Sequence, residues 1–425
     1  MGKVISVLLC ALMVSPVLMA KTVVVADAYV DVVRGQVVNN ARIEIIDGRI
    51  SAVSSSTSKA LEAGDELVDL TGHTVLPGMI DMHTHLTNDA QEHGYKRLSK
   101  SQTRKALRGV KFANDTLMAG VTTVRNLGAG NYIDVALRDA INEGDIIGPR
   151  MFVSGPSLQI TGGHGDINTL PHDLPTTVNS AVDGPWAAVQ QVRENVKYGA
   201  DLIKIKATGG VLSKGTKVGA QEFSLEEMSA IVAEAHRRGV KVTAHAHGAA
   251  GINDAIRAGV DSVEHASFID DEGIKLAKSK GTYLSMDIYV TEYILGEGEA
   301  AGILPESLDK ERQVGGVQRE NFSKAVKAGV NMVMGTDAGV YPHGDNLKQL
   351  SRMVQFGMTP IQALQAASQN AAVLLGQEAN VGALVPGRYA DIIAVAGNPV
   401  EDVSLLENVA FVMKGGVIVK SPERK

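Results

Sequence analysis

The chain has 425 residues, 44% of them hydrophobic and 21% charged, with 41 basic against 47 acidic side chains and a net charge of −6. Such a chain can bury a large core, as two or three domains or as one large barrel with an attachment. Its mild acidity, lack of a basic run and 4% aromatic content argue against nucleic acid and anionic membrane partners.

Residues 1–20 combine Lys3, an apolar stretch from Val4 to Met19 and a terminal Ala20. This is the pattern of a secretory signal peptide and implies export to a periplasmic or extracellular space. Ser6, Ser15 and Pro16 interrupt the run, which falls short of the ~20 apolar residues of a membrane span. The alternatives are a buried N-terminal helix or an anchor. The one cysteine, Cys10, excludes a disulfide scaffold and a cysteine-based zinc site, and too little apolar sequence precedes it for a lipoprotein. No other segment could span a membrane.

Residues 21–75 contain short β-rich runs at Thr22–Val25, Ala41–Ile46 and Leu67–Leu70, with turns at Asp47-Gly48 and Gly64-Asp65 between them. Residues 382–425 repeat the pattern at Asp391–Val395 and Phe411–Val419. Strands at both ends predict one small β-sandwich domain assembled from the two termini, with residues 76–381 inserted as a larger domain.

The insert alternates strand and helix. Thr74–Met82, Val121–Leu127, Met151–Ser154, Leu202–Ile205, Val240–Ala244, Ser262–Glu264, Tyr283–Met286 and Met332–Met334 read as strands. Leu225–Arg238 places Met228, Ile231, Val232 and Ala235 at helical spacing and stops at Gly239. Ile252–Ala258, Ile274–Lys280 and Phe322–Ala328 likewise run into Gly259, Gly281 and Gly329. The fold class is α/β, a (β/α)8 TIM-type barrel whose site should lie at the C-terminal strand ends. A doubly wound open sheet is the alternative, but no GxGxxG follows a strand.

Polar residues recur at those ends. The first strand leads into Asp81-Met82-His83-Thr84-His85, and His83 and His85, two apart, face one way. The fifth runs into His245-Ala246-His247, the sixth into Glu264-His265, the eighth into Gly335-Thr336-Asp337. One such histidine is ordinarily a packing or surface residue; four at one rim with an aspartate predict a metal site. Nitrogen and carboxylate donors without thiolates suit zinc, with manganese, iron or cobalt as substitutes. Lys204 and Lys206 on the fourth strand share a face. They either reach a solvated rim or are neutralised inside the barrel, for instance as a carbamate formed with carbon dioxide. Spacing alone does not decide between these.

The run Val75-Leu76-Pro77-Gly78-Met79-Ile80-Asp81-Met82-His83-Thr84-His85 resembles the opening signature of the amidohydrolase superfamily. Ala207-Thr208-Gly209-Gly210-Val211-Leu212-Ser213, His245-Ala246-His247-Gly248, Glu264-His265-Ala266 and Gly335-Thr336-Asp337-Ala338-Gly339 resemble its imidazolonepropionase-like branch. Within that branch the chain is similar to binuclear-zinc dipeptidases, both prolidases and Xaa-Arg/Lys dipeptidases. Met286-Asp287-Ile288-Tyr289 and Tyr341-Pro342-His343-Gly344-Asp345-Asn346 are most like the latter.

The resemblance implies two divalent ions, zinc by preference. His83, His85 and Asp337 would hold the first, His245 and His265 the second, and Lys204 would bridge them as its carbamate. It further implies hydrolysis of a small peptide by hydroxide held between the ions, with Asp337 passing the proton to the leaving amine, and assembly into homo-oligomers. Lys206 receives no role, and His73, His93, His172 and His236 fall outside the motifs. His164, flanked by glycines after the third strand, is expected at the substrate carbonyl or oxyanion. His247 is expected at the terminal carboxylate.

Asp287 should face the site, with Tyr289 beside it, Glu292 in the next loop and Asp345 after the eighth strand. An acid there would select a C-terminal Arg or Lys, unless Asp287 caps a helix. The alternatives are an Xaa-Pro dipeptidase, a cyclic-amide hydrolase or deaminase with one metal, and, remotely, an inactive binding relative.

Overall fold

In the computed structural model, which describes residues 20–56, 60–174 and 181–422, the first four strands are Thr22–Asp31 (β1), Gln36–Ile46 (β2), Arg49–Ser54 (β3) and Glu66–Pro77 (β4). The export signal expected over residues 1–20, with Cys10, lies outside these residues except for Ala20. Eight strands follow: Met79–Thr84 (β5), Val121–Asn126 (β6), Arg150–Val153 (β7), Leu202–Lys206 (β8), Lys241–Ala246 (β9), Ser262–His265 (β10), Tyr283–Ser285 (β11) and Met332–Val333 (β12). The chain ends with Ile392–Ala396 (β13), Phe411–Lys414 (β14) and Val417–Lys420 (β15).

The strands from the two ends form one seven-stranded sheet in the order β15-β14-β13-β4-β1-β2-β3. Its alternating apolar residues enclose a core that includes Val24, Ile43, Ile50, Ile392 and Phe411. The sheet curls back on itself. The β2–β3 turn bonds to the segment before β13, through Ala390 N to Gly48 O (2.8 Å) and Ile50 N to Arg388 O (2.9 Å). One continuous sheet thus provides both walls of the sandwich. The strand expected over Thr74–Met82 is divided: β4 stays in this sheet to Pro77, and at Gly78 the chain leaves for the barrel, its N–H still bonded to Asp391 O (2.8 Å).

β5 to β7 pair in parallel, as do β8 to β12. Both seams between the two groups are closed. Leu158 bridges to β8, its N–H donating to Lys204 O (2.8 Å) while Lys206 N–H donates to its carbonyl (2.9 Å). At the other seam Met82 N–H donates to Met334 O and Thr84 pairs with Ala338. Amphipathic helices cover the barrel and stop as the pattern expects. Leu225–Arg237 starts at a reciprocal Ser224–Glu227 capping box, and Ala249–Ala258, Asp271–Lys280 and Pro305–Ala328 stop at Gly259, Gly281 and Gly329. No helix among the described residues is long and apolar enough to cross a membrane.

Candidate active site

Parallel strands of one barrel end together, so residues far apart in the chain converge at the C-terminal rim. β5 delivers His83 with His85 just beyond, β8 Lys204 and Lys206, β9 His245 with His247 just beyond, and β10 His265. Asp337 follows β12. With His164, these eight side chains all line one inner cavity of about 170 Å³.

Donor atoms of His245, His247 and His265 lie within 4.8 Å of one another, as do those of His83, His265 and Asp337. Asp337 Oδ1 is 3.1 Å from His85 Nε2 and 3.4 Å from His83 Nε2. His265 and Asp337 both adopt left-handed backbone, φ +68° and +59°. Such conformations are uncommon for residues other than glycine and gather at functional sites. Lys204 Nζ and His245 Nε2 are buried and have no hydrogen-bond partner. Buried polar atoms are seldom left so, and two orphaned donors facing a carboxylate and four imidazoles fit divalent cations.

Burial sets the electrostatics. It pushes His83 down to about 4 and Lys204 down to about 7, favouring a neutral imidazole and a partly neutral amine at neutral pH. Burial and neighbouring cationic groups hold His164 and His245 well below the usual histidine range. Burial would raise Asp337, but the imidazoles of His83 and His85 hold it below the ordinary carboxylate value. Lys206 is lowered to about 8, by burial first and then by Arg97.

A shell of buried partners orients the imidazoles. His265 Nδ1 lies 2.9 Å from both carboxylate oxygens of Asp287, which also accepts from Gln318 Nε2 at 3.1 Å. His247 Nδ1 pairs with Ser267 Oγ at 2.8 Å, and His164 Nδ1 with Ser213 Oγ at 2.8 Å. Glu264 Oε2 lies 3.3 Å from His83 Nδ1 without hydrogen-bond geometry, while its Oε1 accepts from Arg125 Nη2 at 2.6 Å. Asp81 accepts from Thr336 and Asn346 behind β5 and is pushed up to about 7 by burial. His164 stacks on His245 at 4.2 Å. Gly210 makes room for it, since a Cβ there would lie 2.3 Å from the His164 ring.

Several expected roles change. Asp287 is 2% exposed and engaged with His265, so it braces that imidazole and is not free to meet a charged substrate group. Tyr289 packs edge-on against Tyr341 and is not among the residues lining the cavity. Glu292 pairs with Arg352 (2.6 Å) and Arg319 (3.4 Å), and Asp345 with Lys348 (3.0 Å). His247, expected at a substrate carboxylate, lines the cavity beside His245 and His265. His73 lies in β4, His236 pairs with Asp261, His172 is exposed, and His93 lines the outer vestibule.

The Arg125–Glu264 pair was not anticipated, although an arginine inside the apolar run Val121–Leu127 demands a buried partner. Glu311 was missed as well. It lines the cavity from helix Pro305–Ala328, accepts from Thr291 Oγ1 at 2.5 Å and is pushed up to about 7 by burial. Nothing in a long charged helix distinguishes it from its neighbours.

A closed eight-stranded barrel with imidazoles and carboxylates crowded at one rim is a hydrolase architecture built around a metal-competent centre. The amidohydrolase family model matches residues 74–419, and the chain belongs to that family. Ochratoxinase of Aspergillus niger is 34% identical over 415 residues, covering 91% of this chain and 84% of the relative. Among solved structures, a Xaa-Pro dipeptidase with methionine bound in its active site matches with 38% identity and a TM-score of 0.91, over 95% of this chain and 100% of the other. A prolidase complexed with N-methylphosphonate-L-proline matches with 29% identity and a TM-score of 0.88, over the same shares of the two chains.

Proposed function

We propose that this hydrolase cleaves the amide bond of small peptides or N-acyl amino acids at a centre of two divalent ions, zinc by preference. His83, His85 and Asp337 would hold one, His245 and His265 the other, and Lys204, as its carbamate, would lie between them. The carrying observation is the pair of orphaned buried atoms, Lys204 Nζ and His245 Nε2, facing donors from three further strand ends. A partly neutral, buried lysine amine is the form that adds carbon dioxide, losing a proton as the carbamate forms. When bound, the ions would polarise the scissile carbonyl and acidify water.

The chain's own groups supply the rest. Asp337 stays ionised and can take a proton at Oδ and return it to the leaving amine. His164, in the tautomer whose Nδ1 accepts from Ser213 Oγ, can donate its Nε2–H to the carbonyl oxygen as charge develops. Val211, Leu212, Val290, Ile294, Val314 and Val340 line the cavity, exclude water and suit a neutral, apolar side chain next to the scissile bond. This supports a C-terminal proline, methionine or similar residue. Cleavage before Arg or Lys is the second reading, and Glu311 is the carboxyl that favours it, because Asp287, Glu292 and Asp345 are all engaged.

The test is metal analysis together with a dipeptide library varied at the C-terminal residue. Two ions per chain and faster cleavage before Pro, Met or Leu are expected. Arg and Lys leading by tenfold, with that lead lost in Glu311→Gln, would select the second reading. One tight ion and no carbamate at Lys204 would remove the binuclear proposal. Residues 1–20 further support export, which N-terminal sequencing of the mature protein would check.

A further inference from the structure

The run Tyr341-Pro342-His343-Gly344-Asp345-Asn346 stands out in the sequence, yet none of it lines the inner cavity. It leads into helix Lys348–Gln355. At this junction Asn346 and Gln349 are fully buried, while Asp345 and Lys348 pair with each other nearer the surface (3.0 Å). A buried amide offers both donors and an acceptor, and it destabilises the fold unless they are met. Both amides are met, each by the backing of a different group of metal-competent side chains. Gln349 N–H donates to Asn346 O at 3.2 Å, so a single turn fixes the spacing of the two side chains.

Asn346 reaches the first group. Its Nδ2 donates to Asp81 Oδ2 at 2.8 Å, and its Oδ1 accepts from Gly344 N at 3.1 Å. Asp81 also accepts from His83 N (3.1 Å) and from Thr336 Oγ1 (2.5 Å). Thr336 Oγ1 takes the N–H of Ala338 at 3.1 Å, and Asp337 N donates to His83 O at 2.8 Å. One buried carboxylate thus ties β5 to the left-handed turn that presents Asp337. Gln349 reaches the second group. Its Nε2 donates to Met286 O at 2.7 Å and its Oε1 accepts from Tyr289 N at 2.9 Å. It therefore spans the turn carrying Asp287, whose carboxylate holds His265 Nδ1. β11 has ended at Ser285, so no strand ladder fixes that turn.

We propose that Asn346 and Gln349 are positioning residues, a two-armed brace that holds the His83–Asp337 group and the Asp287–His265 pair at a fixed separation. The inference rests on the two-ion reading above, since only a centre with two ligand groups needs their spacing set. Each amide acts through a carboxylate, Asp81 or Asp287, and neither lines the cavity where substrate would lie. Outer partners of this kind matter because a ligand displaced by a fraction of an ångström binds and catalyses less well. The two arms leave one turn of chain, so the spacing of the two groups is written into three residues of sequence.

The experiment uses the near-isosteric variants Asn346→Leu and Gln349→Met, with folding checked by far-UV circular dichroism. Zinc affinity is measured by chelator competition, and zinc-edge anomalous diffraction at limiting zinc shows which site has emptied. Asn346→Leu should weaken zinc at His83, His85 and Asp337 about tenfold, and Gln349→Met should do the same at His245 and His265. In each variant the other site should stay within about threefold, and kcat on glycyl-L-methionine should fall about tenfold with KM little changed. Should an apolar variant fail to fold, Asn346→Ser or Gln349→Glu, which keeps the acceptor for Tyr289 N–H, replaces it under the same readings. Unchanged zinc affinity and kcat in both arms would overturn the brace. So would equal weakening of both sites in each variant, which marks general loosening, or a response from one arm alone. Fewer than two ions in wild type removes the two-ion reading, and the brace falls with it. Two ions in a wild type that cleaves no peptide rejects the substrate reading only, and the zinc measurements then decide the brace.

Discussion

The inner cavity and the vestibule are built from the same strand ends yet handle charge in opposite ways. Inside, imidazoles are braced from behind: His265 by Asp287, His247 by Ser267, His164 by Ser213, with Glu264 close to His83. Arg97 and Lys206, which line the vestibule, have no hydrogen bond or ion pair among the described residues. Groups that must hold one geometry are fixed by buried partners, because a misplaced ligand or base loses its effect with small displacements. Groups that must meet an incoming molecule keep their bonding capacity for it.

The sharpest way to break this contrast is to remove the innermost group. Lys204→Ala should reduce turnover to background and lower metal content in the purified protein; normal turnover with both ions present would refute its bridging role. Asp337→Asn should cut kcat by about 10²–10⁴, read by steady-state kinetics on fully metal-loaded protein. Asp287→Asn tests the bracing layer alone. It touches no proposed substrate position, and metal affinity should fall about 10–100-fold in a chelator competition, with far-UV circular dichroism unchanged.

Acid should also act on the inner cavity first. His83 is held at about 4 in the folded chain, against about 6.5 when unfolded. The unfolded state therefore binds the extra proton, and stability present above pH 6.5 is lost as pH falls towards 4, on the order of 3 kcal/mol for this residue. Thermal melts of metal-free protein between pH 7 and 4 would record the decline; a flat profile would contradict it. At the outer surface the effect should be smallest. Glu292→Gln, which frees Arg352, should cost less than about 1 kcal/mol and leave KM unchanged.

Much of this was legible in the chain. Glycine stops after periodic helices, eight apolar runs and two β-rich termini specify the barrel and its attached sheet, because each rests on local conformational preference and burial. His83, His85, Lys204, His245, His265 and Asp337 were legible for a related reason: strand alternation and the common rim fix their direction once the barrel is assumed. Asp287 lines the cavity as expected but is engaged there, and Tyr289 lies outside it, because both follow the end of β11, where alternation no longer dictates direction. There the backbone turn points Asp287 at His265, and Tyr341 covers Tyr289.

The sequence by itself determined the elements, their order and the rim on which the chemistry gathers, since these follow from periodicity over a few residues. Only the tertiary structure decided which charges are engaged. Whether a carboxylate meets a substrate or a neighbouring imidazole depends on distances of a few ångströms between segments far apart in the chain. Glu311 reaches the cavity from a helix that begins at Pro305, and Arg97 and Lys206, more than a hundred residues apart in the chain, line the same cavity. Such pairings have no period to betray them, and burial, which shifts Lys204 and His83 most, exists only once the barrel is closed.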